Sequence, residues 1–99
     1  MSQLPMPDAR IPAPPGHERL ARAVFDVIAR ADAPVASREI IMSALGGGRY
    51  RRLGALFVCI QTLTDAGLVG ECPAKDNPRR LSWYSTDAGR ALAEEIRST

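Results

Sequence analysis

RYRRLGALFVCIQTLTDAGLV, residues 49–69, decides how the rest of the chain is read. Leu53, Leu56, Phe57, Ile60 and Leu63 recur at spacings of three and four, which on a helix gathers them into one apolar stripe that has to be buried. Asp65-Ala66-Gly67 ends that helix on a residue tolerant of left-handed backbone, and Leu68-Val69 supplies the apolar pair with which a strand begins. The spacing thus predicts a helix over residues 50–66, with Arg49, Arg51 and Arg52 crowding its leading end. Opposite the stripe, helical geometry places Arg51, Ala55, Val58, Thr62 and Asp65, with Gly54 and Gln61 to the sides.

Toward the N-terminus, Gly46-Gly47-Gly48 separates this helix from a shorter one, Arg38 to Leu45, for which Ser37 is the expected N-cap and whose Ile40, Ile41, Ala44 and Leu45 face inward. The triple glycine is not a phosphate-cradling loop, because no strand precedes it and no Lys-Ser/Thr follows. Val35-Ala36, after Asp32-Ala33-Pro34, is either a very short strand or a turn. From Glu18 to Ala31, Leu20, Val24, Val27, Ile28 and Ala31 share one helical face while Glu18, Arg22, Asp26 and Arg30 lie away from it, and Asp26 stands four residues before Arg30 in the favourable order for an ion pair. Residues 1–16 hold Pro5, Pro7, Pro12, Pro14 and Pro15, which favour extended backbone, and are expected to be a mobile arm in front of a single domain over residues 17–99.

Toward the C-terminus, Leu68 to Cys72 and Arg79 to Ser85 form a two-stranded hairpin over residues 68–85, turning at Asp76-Asn77-Pro78. Leu81 and Trp83 alternate with Ser82 and Tyr84, which gives the second strand a core face and a wetter one. Lys75, Arg79 and Arg80 crowd the turn. Thr86 is placed to cap a last helix, Asp87 to Arg97, with Ala88, Leu92 and Ile96 on its inner edge.

A chain of 99 residues with 45% hydrophobic and 24% charged residues has room for one core. No apolar run approaches a membrane span and the N-terminus offers no signal-peptide core, so the cytoplasm is the expected location. Cys59 and Cys72 are expected as reduced thiols, and His17, the one histidine, leaves no credible metal set. Net charge is +2, and it is unevenly spread. Residues 49–80 carry six basic groups (Arg49, Arg51, Arg52, Lys75, Arg79, Arg80) against three acidic ones (Asp65, Glu71, Asp76), while residues 1–48 balance at five of each.

Three helices, a ribbon and a closing helix follow the order of a winged helix-turn-helix. SREIIMSALGG, LGALFVCIQTLTDAGLV and RRLSWYSTDAGRALAEE together resemble the DNA-binding module of PadR- and MarR-type bacterial regulators. In these a recognition helix ends in Leu-x-x-x-Gly-Leu-Val, here Leu63, Gly67, Leu68 and Val69. The wing returns through an aromatic residue into Thr-x-x-Gly, here Trp83, Thr86 and Gly89. The similarity covers about residues 18 to 97 and departs from the PadR pattern at Phe57, Trp83 and Ser85. It implies a mainly α (α+β) fold, with a three-helix core, a two-stranded β wing and a short C-terminal helix. It also implies a bacterial transcription regulator that binds double-stranded DNA.

On this expectation the helix over residues 50–66 enters the major groove and the hairpin grips the flanking backbone. Arg49, Tyr50, Arg51 and Arg52 meet phosphates or base edges, Gln61 reads a base, and Ala55, Val58 or Thr62 lie against thymine methyls. Lys75, Arg79 and Arg80 hold the backbone from the wing, and the two arginine groups converge with nothing acidic between them. A module of this size is expected as a homodimer or with a protein co-regulator. The alternative is a winged-helix protein–protein interaction module that docks on another regulator through the small, apolar exposed face of the third helix. No cofactor or small-molecule ligand is evident, and no nucleophile, base or spaced carboxylate pair suggests an enzyme.

Overall fold

The computed structural model describes residues 4–45 and 53–99. Its elements are α1 (Glu18–Arg30), β1 (Val35–Ala36), α2 (Ser37–Leu45), α3 (Leu53–Asp65), β2 (Val69–Pro73), β3 (Leu81–Ser85) and α4 (Asp87–Arg97). The described residues form a mixed α+β fold of four helices and one antiparallel sheet.

α1 is the centre of the core. It touches α2, α3, α4 and β3, and so buries more than one stripe: Leu20, Ala21, Ala23, Val24, Phe25 and Ile28 are all buried. Val27 and Ala31, expected inside, are half-buried. Each large apolar side chain buried here contributes on the order of 1.5–3 kcal/mol relative to exposure. Asp26 pairs with Arg22, not Arg30, at 3.2 Å. Arg22 also donates to the Met6 carbonyl at 3.3 Å, so it ties the helix to the N-terminal segment.

That proline-rich segment is laid on the domain from Leu4 onward. Ile11 is only 5% exposed and belongs to the core, with Leu4 and Ala13 packed against it. Asp8 accepts bonds from the Arg10 side chain and backbone, and Arg10 reaches Glu95 and the Thr99 hydroxyl beyond α4. Extended proline-rich backbone is already restricted before folding, so fixing it against the helices loses little conformational entropy.

In α3 the buried residues are Leu56, Cys59, Ile60 and Leu63. Phe57, expected among them, is 44% exposed. Measured round the helix from Leu56, Phe57 lies about 100° one way and Cys59 about 60° the other. α1 covers the Cys59 side, where the thiol lies 3.9 Å from the His17 carbonyl, whereas on the Phe57 side the Trp83 ring is the neighbour. The helix stops as expected: Gly67 has φ +79°, and the N–H of Leu68 returns to the Leu63 carbonyl.

The sheet has three strands, not two, in the order β1-β3-β2. Val35 pairs with Trp83 and Ala36 with Ser82, so β1 takes the edge of β3 that a simple hairpin leaves open. The second hairpin strand is thereby the central one. Its Ser82 is covered from both sides and buried, while Leu81, expected in the core, is 46% exposed. β2 is an outer strand, which is why Pro73 can end it opposite Leu81 without costing a ladder bond.

α4 has the expected bounds and cap. The Thr86 hydroxyl accepts from the Gly89 N–H at 3.1 Å and donates to the Gly67 carbonyl, tying the start of α4 to the end of α3. Among the described residues no helix is long and apolar enough to cross a membrane.

Candidate functional site

The basic end of the hairpin is built by local backbone bonds. The Ala74 N–H donates to the Arg80 carbonyl and the Arg80 N–H to the Asn77 carbonyl, both at 2.9 Å, closing a turn with Pro78 in its second position. The Asn77 side chain accepts from the Arg79 N–H at 3.1 Å, the bond with which asparagine initiates such turns. Lys75, Arg79 and Arg80 are consequently held on a short, tied loop with their side chains exposed.

The exposed side of α3 is less available than its composition suggests. The Gln61 amide donates to Asp65 and the Thr62 hydroxyl to the Val58 carbonyl, each at 2.8 Å. Ala55 is half-buried against the core, and Val58 stands 50% exposed. From Leu53 to Asp65 this helix carries no basic residue. Arg49, Tyr50, Arg51 and Arg52 lie outside the described residues.

Between the first turn of α2, α3 and the hairpin lies a groove of about 470 Å³. Gln61 comes to it from α3 and Arg80 from the hairpin, so two of the expected contact residues are brought together. Ala55, Val58, Thr62, Lys75 and Arg79 do not line it. Arg38 does, on the exposed first turn of α2; it follows Ser37 in the sequence, but nothing in the spacing connects it with a hairpin 42 positions away. Phe57, Ile60, Leu81 and Trp83 form the apolar walls, with the Phe57 and Trp83 ring centroids 6.2 Å apart.

The expected convergence of two arginine groups lies partly outside the described residues, which hold only the hairpin group, and there Arg80 is not free of acid. Glu71 and Asp76 line the same groove as Arg38 and Arg80, because Glu71 lies opposite Trp83 across the β2–β3 ladder and shares its face. Charge along the chain could not reveal this, since it depends on strand register.

Neither thiol is in a disulfide, and burial pushes Cys59 up to about 11. The described residues contain no cluster of His, Cys, Asp or Glu able to hold a metal ion. Comparison of the chain with protein-family models, with curated proteins and with solved structures returns no match.

Proposed function

We propose that this chain is a winged helix-turn-helix protein that binds double-stranded DNA as a cytoplasmic transcriptional regulator, with α3 as its reading helix and the β2–β3 hairpin as its wing. One observation carries the proposal: Gln61 of α3 and Arg80 of the hairpin line one groove, so helix and hairpin address the same side of the molecule. The element order is consistent with it, as a helix pair is followed by a hairpin whose return strand is held by β1. The exposed Lys75, Arg79 and Arg80 supply the phosphate contacts, and Arg38 adds a fourth cation on α2. A lone module of this size covers little DNA, so a homodimer or a co-regulator completes the complex. Titration of labelled duplex at two salt concentrations tests it. Binding that weakens steeply with salt supports the reading, and no affinity at low salt removes it.

A second reading has its own observation. The described part of α3 is free of basic residues, and its Val58 is half exposed with no base-reading chemistry. This favours docking of α3 on a protein partner, with Val58 as a contact that an added charge would break.

A further inference from the structure

The groove between α2, α3 and the hairpin has a chemistry that phosphate binding does not use. Phe57 and Leu81 remain 44% and 46% exposed on its walls, an apolar surface left to water. Around that surface stand Arg38 and Arg80, and also Glu71 and Asp76. Among the described residues none of these four is in an ion pair, although all line one cavity of about 470 Å³. Opposite charges close enough to share a cavity, yet not paired with each other, leave both signs open to a ligand.

We propose that this groove binds a small zwitterionic molecule with a ring-sized apolar body, chemically of the amino-acid kind. The body lies against Phe57 and Leu81, beside Trp83; the carboxylate meets Arg38 or Arg80, and the ammonium meets Glu71 or Asp76. The volume falls within the few hundred Å³ typical of small-ligand sites. Among the described lining residues two cations stand beside two carboxylates, so a ligand carrying both signs has a partner for each of its charges, which a purely apolar ligand does not use. Such a ligand sits between α3 and the hairpin, the two elements assigned to DNA. Its effect on DNA binding rests on that assignment, but its binding does not.

Trp83 is the sole tryptophan of the chain and forms part of the groove wall, so its fluorescence reports occupancy directly. The full chain, without DNA, is titrated with L-phenylalanine, with phenethylamine and with 3-phenylpropionate. L-Phenylalanine gives a saturable change, and each singly charged analogue binds about tenfold more weakly, having lost one charge-assisted contact. The paired variants Arg38→Ala/Arg80→Ala and Glu71→Gln/Asp76→Asn, all at exposed positions, each weaken phenylalanine binding by about the same factor with unchanged far-UV circular dichroism. No saturable response to phenylalanine, equal responses to all three compounds, or indifference to both paired variants overturns the proposal. None of these outcomes bears on duplex binding, which is measured separately.

Discussion

The carbonyl oxygen of Leu68 occupies the space that a side chain on Gly89 would need: a Cβ built on Gly89 would stand 2.1 Å from that oxygen. The same carbonyl accepts the Thr86 N–H at 3.1 Å, so moving it away would strain that bond. Helix propensity alone favours alanine at an interior helical position by about 1 kcal/mol. Overpacking against backbone costs about 1–3 kcal/mol or more, and here the clash is with main chain, so the steric effect wins. Gly89→Ala is expected to destabilise the domain by about 2 kcal/mol and lower its midpoint by roughly 10 °C, read by thermal and urea denaturation.

Thr86 is the other half of this junction, and its hydroxyl is used twice, as acceptor from Gly89 and donor to Gly67. Thr86→Ala removes both bonds and is expected to cost about 1–2 kcal/mol, whereas Thr86→Ser keeps them and loses only a few tenths. Equal stability of the two variants in urea would mean that the cap contributes nothing.

The features that a local pattern specifies were readable in advance. Thr86 and the bounds of α4 follow from capping chemistry, and Gly67 from the need for left-handed backbone where α3 ends. Phe57, Leu81 and Ser82 were misplaced for one common reason: their burial depends on which neighbour covers them, and β1 and α1 come from far away in the chain. A two-residue strand such as Val35–Ala36 is too short to show alternation at all. In the candidate site the basic hairpin was legible as composition. The entry of Arg38, Glu71 and Asp76 into the same groove was not, because it is produced by packing and strand register.

The N-terminal segment supplies a pH-dependent contact. Side-chain and then backbone hydrogen bonds from Arg10 hold Asp8 down at about 2, below its ordinary value of 3.8. The folded form therefore keeps this carboxylate ionised where an unfolded segment would already take a proton, so the clasp is fully present above about pH 4 and is lost as pH falls through about 2. The Ile11 methyl resonances, from a side chain seated in the core, are expected to move toward unfolded values across that window. Asp8→Asn should abolish this pH dependence while leaving the rest of the spectrum in place.

The two cysteines should separate by reactivity. Cys59 is fully buried in α3, with its pKa raised to about 11, whereas Cys72 on the outer strand β2 is partly exposed. Because the thiolate is the reactive species, an aromatic disulfide reagent at pH 8 should label Cys72 promptly and Cys59 only on unfolding. Cys72→Ser should leave a native protein without a fast-reacting thiol; rapid labelling of that variant would show that the Cys59 side of α3 opens easily.

The DNA and docking readings place their weight on different surfaces, and two variants separate them. Lys75, Arg79 and Arg80 are exposed on a loop tied by its own backbone bonds, so replacing all three with alanine should leave the fold intact. Each lost phosphate contact lowers the salt dependence of duplex binding by about one counterion, so the triple variant should flatten the slope by about three and weaken affinity at low salt more than at high salt. Val58→Asp adds a negative charge to an exposed helical position 50% open to solvent, at a cost of a few tenths of a kcal/mol to stability. If α3 lies in the major groove, that charge repels phosphate and binding falls together with the hairpin variant. If α3 is instead a docking helix, Val58→Asp dissolves a protein complex seen by sedimentation while the hairpin variant leaves it whole.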